Sequence, residues 1–459
     1  MARFEKGKLL HCVETVTGKH LTGTLLVSED EIRAHIYSYS DFFHIKSEQP
    51  VFLIAESGHV VSFHANVDNG FGTTSFHEQE THYQGIVANV AVIGHDPWTE
   101  IDRVKRVSFA VKHTMDLLHH QKKVKALGRS KFPAEEHFRI FEVAAKGITL
   151  RAWYRATYGI EFGAPKALWP SFEIEFDEPQ NIHDFIEHVS NYLAFLSFCL
   201  GVKLRPHDIR IDRLSHAEVM AGIKARTYVG EHEVHYIWPE TEIDVRDLWV
   251  GGSPVRAWDE EELVALCACL TAWMDRAGDW KKSYVMMMTS FGFKGVISAE
   301  RLINACKWFE ELPNAKSNNA LSPKDIEAIT AAAAAKAEQL GHASTIRERI
   351  ATSIARVKEE TAAERFTRLM ALVEERFGKG IFPGNAISHL RRAIQFRGRT
   401  AHGHFHPASA DEYRAFSKST RAMEALCYLL NALDLPISPD GAERVRNNPL
   451  VRDYHEAYE

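Results

Sequence analysis

The scarcities of this 459-residue chain each close off a class of function. Its six cysteines (Cys12, Cys199, Cys267, Cys269, Cys306 and Cys427) include no CxxC pair, so the spacing of a zinc knuckle is missing. Cys267 and Cys269 fall in an apolar helical run and read as small core residues. No apolar stretch approaches the ~20 residues that a bilayer span needs. Residues 1–10 carry charge but no apolar h-region, so they do not read as a secretory signal. A cytoplasmic protein is the expectation. Positive charge is also short: the net charge is −6. A protein that coats nucleic acid without specificity draws its affinity from lysines and arginines, so that class is disfavoured, while one local basic cleft is compatible.

What is present fits a globular protein of more than one domain. Apolar content is 45% and charged content 25%, near ordinary averages, and the length implies two or three domains. The first half alternates with period two. LTGTLLV at 21–27 reads as a strand, and PVFLIA at 50–55 and HVVSFHA at 59–65 flank a turn at Glu56, Ser57 and Gly58. Asp68, Asn69 and Gly70 form a second turn signal. Further strands are expected at 85–93, 107–111, 138–143, 148–154, 172–176, 208–212 and 233–238. One helix, 181–200, interrupts them, and another runs from 259 to about 280. The expectation is an α+β multidomain chain: residues 1–290 a β-rich antiparallel sandwich or barrel, residues 291–459 an all-α bundle, with the boundary within 283–293.

Helix signals dominate after that. Ser298 opens a helix that Pro313 stops, and Ser322 with Pro323 opens another. Thr345 with Glu348, Thr361 with Glu364 and Ser409 with Glu412 have capping-box spacing. Short loops favour antiparallel packing.

In AISHLRRAIQFRGRTAHGHF, residues 386–405, Ile387, Leu390 and Ile394 form one stripe on which Arg397 is the next step. An arginine there is expected to point into the bundle or across an interface. His402 follows five positions later. On an ideal helix the two side chains lie about 140° apart, so their convergence requires the helix to tighten or end between Gly398 and Gly403. The pair suits RNA cleavage. A histidine can take the proton of an attacking 2′-hydroxyl or give one to the departing 5′-oxygen near neutral pH. An arginine stays protonated and forks onto phosphate oxygens as charge builds there. No metal or cofactor is needed, and the products are a 2′,3′-cyclic phosphate and a 5′-hydroxyl. Two copies facing each other across a dimer supply a fuller site. Arg399, Arg392 and His404 are the candidate RNA contacts.

At these residues the chain resembles the HEPN family, and within it the ApeA-like branch. The motif is an arginine, four to six residues, then a histidine, and it stands here as Arg397, Gly398, Arg399, Thr400, Ala401, His402, followed by Gly403. The segment 302–312 with Trp308, Phe309 and Glu310, the helix at 409–433 and the β-rich half with its 181–200 helix resemble the same branch. The resemblance implies a homodimer formed through the bundle, a metal-independent endoribonuclease, and a role in anti-phage defence by abortive infection. It also implies a structured RNA substrate such as tRNA, and a phage-derived trigger sensed by the first domain. The position after the motif arginine is Gly398, where many members carry Asn, Asp or His.

Other readings stand beside this one. The bundle can be an RNA- or nucleotide-binding module without cleavage, or a dimeriser serving a first domain that binds a carbohydrate or a phage protein. His402, His404 and His406 alternate as a transition-metal site could, but without interleaved carboxylate or cysteine. His119, His120, Lys122 and Lys123 read as a solvated loop or basic patch. Trp153, Trp169, Trp238, Trp249 and Trp308 can stack on bases, with core packing the stronger reading.

Overall fold

The computed structural model describes residues 5–14, 21–28, 31–38, 43–45, 51–76, 79–129, 134–158, 165–237, 250–293, 296–319, 321–355, 360–401 and 407–457. Alternation of apolar and polar residues sets the first six strands: β1 (Leu9–Glu14), β2 (Leu21–Val27), β3 (Ile32–Ser38), β4 (Val51–Ala55), β5 (Val60–Phe76) and β6 (Gln79–Gly94). They pair antiparallel in the order β3-β2-β1-β4-β5-β6, and β3 also pairs with β6, from Arg33 opposite Val87 to Ser38 opposite His82. That last pairing closes a six-stranded barrel and leaves no free edge within it. Every second residue of β2 and β3 points into the core, where Leu25, Ile32, Ala34 and Ile36 are fully buried with Leu53, Val61 and Phe63. Gly23 is required by closeness: a Cβ there would sit 2.2 Å from the carbonyl oxygen of His35 on β3.

The chain continues through β7 (Val104–Val111), α1 (Gln121–Arg129), α2 (Glu135–Phe138), β8 (Arg139–Ala145), β9 (Ile148–Thr157), β10 (Ala167–Gln180), α3 (Phe185–Leu200), β11 (Pro206–Asp212), α4 (His216–Ala225) and β12 (His232–Tyr236). These strands form an open antiparallel sheet, β12-β11-β7-β10-β9-β8, that grows from β6. One edge of β6 bonds β3 through residues 82–87 and β12 through residues 90–93, so a single strand serves both barrel and sheet. Lys146 and Gly147, both with positive φ (44° and 77°), make the tight turn between β8 and β9. One face of the open sheet is apolar: Phe109 and Phe172 pack against each other and against Tyr192 of α3. The opposite face carries Arg106, Ser108, Arg151, Trp153, Ser171 and Glu173 in neighbouring rows.

The helices that follow are α5 (Glu260–Gly292), α6 (Ala299–Glu311), α7 (Pro323–Gln339), α8 (Ser344–Ala355), α9 (Ala362–Phe377), α10 (Ala386–Ala401), α11 (Ala410–Leu433), α12 (Pro439–Arg444) and α13 (Pro449–Glu456). The helix α11 is the hub: it packs against α6, α9, α10 and α13, and its residues from Met423 to Ala432 are all buried. The helices α7 and α8 pack on each other. Ser298, Ser322, Thr361 and Ser409 are the N-caps of α6, α7, α9 and α11, and at Thr361 and Glu364 both bonds of a capping box form. Within this set Arg301 and Glu424 are a buried pair: Nε and Nη2 donate to the carboxylate at 2.9 and 2.8 Å.

The secondary structure is thus α+β, with a barrel and its sheet extension followed by helices. Two compact units are present: Met1–Leu196, Leu204–Ile243 and Ala257–Asp275 in one, Ser197–Lys203, Asp244–Arg256 and Arg276–Glu459 in the other. Four local readings change. Asp68, Asn69 and Gly70 make no hairpin turn; β5 runs through them with an irregularity in register between Asp68 and Phe71, the form a β-bulge takes. Residues 283–292 are the last part of the 33-residue α5, which runs past the expected boundary because Tyr284, Met287 and Phe291, at steps of three and four, are buried along one face. The helix α8 starts at Ser344, so Thr345 lies inside it. Besides α3, the helices α1 and α4 also interrupt the strands. Among the described residues no helix is long and apolar enough to cross a membrane.

Candidate functional site

The helix α10 buries Ala386, His389, Leu390, Ala393 and Phe396. Phe396 stands edge-on to Phe416 of α11, and the Cys306 thiol of α6 approaches the Ala393 carbonyl. The buried face is therefore centred one position away from the expected stripe. Ile387, Ile394 and Arg397 lie at its margin, and the Arg397 side chain is 33% exposed. It does not point into the bundle. Both terminal nitrogens donate to the carboxylate of Glu310 near the end of α6, at 2.5 and 3.0 Å. A half-buried guanidinium needs such a partner, and a bidentate carboxylate fixes the plane of its fork. Among the described residues two of its five N–H donors are used, both by Glu310.

The helix continues without a break through Gly398 to Ala401. A Cβ built at Gly398 meets nothing within 4 Å among the described residues, so their packing does not require glycine. Arg399 bonds Glu412 of α11 at 2.8 Å, and Glu412 also accepts from the Ala408 N–H just before that helix. Together the ion pair and the backbone bond hold the Glu412 carboxyl below the usual carboxylate range, the backbone bond contributing most. Arg391 and Arg392 are exposed on the outer side of α10. His402, His404 and His406 lie outside the described residues.

Burial pushes the Cys306 thiol up to about 12, and all six cysteines are free. A protonated, buried thiol is inert as a nucleophile. Among the described residues no group of three or more His, Cys, Asp and Glu could hold a metal ion. Trp308 is fully buried and donates to Ser283, so it is a core residue, whereas Trp153 and Trp169 are partly exposed on the open sheet, and Trp238 and Trp249 lie outside the described residues. His120 is buried, next to α1, and its backbone N–H bonds the Tyr154 hydroxyl, so the 119–123 stretch is a helix start and not a loop. Glu310 and Glu412 are the participants that sequence reasoning did not single out as partners. Nothing local marks either, because each meets its arginine from a different helix.

No protein-family model, curated protein or solved structure matches this chain.

Proposed function

We propose that the helical unit is a metal-independent endoribonuclease of HEPN type, acting as a homodimer in anti-phage defence by cutting RNA, with tRNA loops the first substrate to test. The observation that carries the reading is Arg397 itself, a cation held in fixed orientation at the surface of α10, five positions before His402 in the sequence. In this mechanism the N–H donors of Arg397 that Glu310 does not take bind the scissile phosphate. His402 moves the proton, from the 2′-hydroxyl or to the departing 5′-oxygen. Glu310 is a positioning residue. Arg399, Arg392 and His404 contact flanking phosphates.

The test uses the purified full chain with total RNA in the presence of EDTA. Cutting is expected, with 2′,3′-cyclic phosphate ends, and His402→Ala is expected to lower it about 10²–10⁴-fold. Cutting that survives this substitution removes the assigned site. Cutting lost in EDTA points instead to the alternating histidines as a metal site. A second reading, RNA or nucleotide binding without cleavage, draws on the fact that Glu310 already neutralises Arg397. It predicts a gel shift at moderate salt and intact RNA.

A further inference from the structure

The hairpin of α7 and α8 is a discrete arm of the helical unit. Its two ends meet: the Glu360 N–H donates to the Asn318 carbonyl and the Asn318 N–H to the Glu360 carboxylate, both at 3.0 Å. Arg368 secures this neck by donating to both Glu360 oxygens and to the Lys316 carbonyl. Beyond the neck the two helices pack chiefly on each other. Ile326, Thr330, Ala333 and Ala337 form the shielded stripe of α7, and Arg347, Ile350 and Ile354 that of α8. Among the described side chains of the two helices only Ala337 is buried. Helices of 17 and 12 residues are marginal by themselves in water. A pair with one buried alanine has no core and needs a second layer.

One side of the arm is apolar and uncovered among the described residues. Ile329 and Leu340 on α7 are 44% and 62% exposed, and Ile346 on α8 is 40% exposed. Ala332 and Lys336 lie between the first two at helical steps of three and four, so Lys336 is the one charge in that row. Each helix carries its apolar row offset from its shielded stripe in the same rotational sense, by roughly 90°. The helices run antiparallel, with Glu338 and Arg347 paired across the turn at 3.2 Å. That direction brings both rows to one side of the arm. Glu327, Glu338 and Glu348 are offset the other way and lie on the opposite side. The apolar side is therefore self-complementary. A copy related by a two-fold axis meets isoleucine and leucine with isoleucine and leucine, and both acidic sides stay in water. The four helices then enclose a core, as in an antiparallel bundle. From helix dimensions each face covers roughly 450 Å², and the two roughly 900 Å² before side-chain relief, the size of a weak, reversible dimer contact.

We infer that the apolar side of the α7–α8 arm docks on the same side of a second copy of this chain. Ile329, Leu340 and Ile346 supply the contact from each copy, and the Asn318–Glu360 neck presents the arm as a unit. The inference names the surface of the homodimer proposed above; it rests on that reading for what the dimer does and not for whether it forms.

Sedimentation velocity of the purified full chain, without RNA, tests it. A monomer–dimer equilibrium is expected with a midpoint between about 1 and 100 µM. Leu340→Lys combined with Ile346→Lys should weaken the dimer about tenfold or more, because charges would be buried in the contact. Both positions are exposed, so the monomer should keep its fold, which circular dichroism of dilute samples checks. Glu327→Lys combined with Glu348→Lys changes the opposite side and should leave the midpoint where it was. A chain that stays monomeric to 100 µM overturns the proposal, including one that instead floats with phosphatidylcholine vesicles. So does a dimer equally stable in the Leu340 and Ile346 variant, or one weakened as much by the glutamate variant. A monomer that cuts RNA would remove this interface and leave the nuclease reading, whereas an arm-dependent dimer that leaves RNA intact would do the reverse.

Discussion

Arg397 on α10 and Glu310 on α6 share two parallel hydrogen bonds, so the fork that is proposed to meet phosphate is already oriented by a carboxylate 87 positions away. The side chains are 33% and 46% exposed. Such a pair is worth no more than about 0–1 kcal/mol to the fold. Its effect should appear in RNA handling. In Glu310→Ala, RNA affinity is expected to rise, because a negative charge beside the phosphate is gone, and the salt dependence of binding should steepen by about one ion. Cleavage should fall at the same time, since the guanidinium is no longer held. Affinity and cleavage measured across a salt series decide it; the two moving together in the same direction removes Glu310 as a positioning residue.

Removing the motif arginine should act on chemistry and hardly on stability. Arg397→Ala is expected to lower the cleavage rate by about 10²–10³-fold while the thermal midpoint stays within about 2 °C of the parent. A melt shifted by far more would make Arg397 a structural residue.

Gly398 sits exposed in the interior of a helix, and among the described residues nothing lies within 4 Å of where a Cβ would be. Gly398→Ala should therefore stabilise the protein by roughly 0.5–1 kcal/mol, because alanine loses less backbone entropy on folding. Denaturant unfolding reads this directly. Destabilisation would mean that the glycine meets something, such as a second copy of the chain.

Arg301 and Glu424 present a different energetic case. Their side chains are 3% and 1% exposed, and Arg301 also donates to the carbonyls of Phe293 and Val296. Burial pushes the Glu424 carboxyl up, against the pull of Arg301. The bidentate contact is nonetheless that of an ion pair, with both oxygens accepting. Glu424→Ala strands a guanidinium in the core and should cost about 3–5 kcal/mol, whereas changing both residues to methionine should recover much of the loss. Urea midpoints of the single and double variants test this, and a double variant no better than the single one contradicts it.

Glu173 makes the stability depend on acid. Its carboxyl is held at about 2 in the fold against an ordinary 4.5. The unfolded chain therefore takes up the proton first. The stabilisation is fully present above pH 4.5 and fades as the pH falls towards 2, a difference of roughly 3 kcal/mol. The advantage of the parent over Glu173→Gln in urea unfolding should shrink across that window; a constant gap from pH 7 to pH 3 would show that the carboxylate is not held this way.

Local rules were readable wherever a few adjacent residues decide the outcome. Ser298, Ser322, Thr361 and Ser409 cap their helices because a side-chain oxygen reaches an N–H three residues on. The β8–β9 turn sits where Lys146 and Gly147 tolerate positive φ. The period-two pattern at 172–176 put Phe172 and Ile174 on one face, and it left Glu173 and Glu175 on the other. The reading failed where an equally good local signal met a longer-range partner. Asp68, Asn69 and Gly70 spell a turn, but β6 lies alongside and holds β5 extended through them. Arg397 looked like the next step of a buried stripe, but α10 packs with Ala386, His389, Ala393 and Phe396 inward, which leaves Ile387, Ile394 and Arg397 at the margin, where Glu310 meets the guanidinium.

By itself the sequence determined an α+β chain, the N-caps of several helices and which residues of many strands share a face, because those depend on dihedral preferences and spacings of two to four residues. The tertiary structure alone decided that β3 returns to β6 and closes a barrel, that Arg106 gathers three carboxylates onto one guanidinium, and that Glu310 orients Arg397. These are meetings of groups roughly 50 to more than 100 positions apart. They follow from chain closure and burial, for which no short stretch of sequence carries a signal.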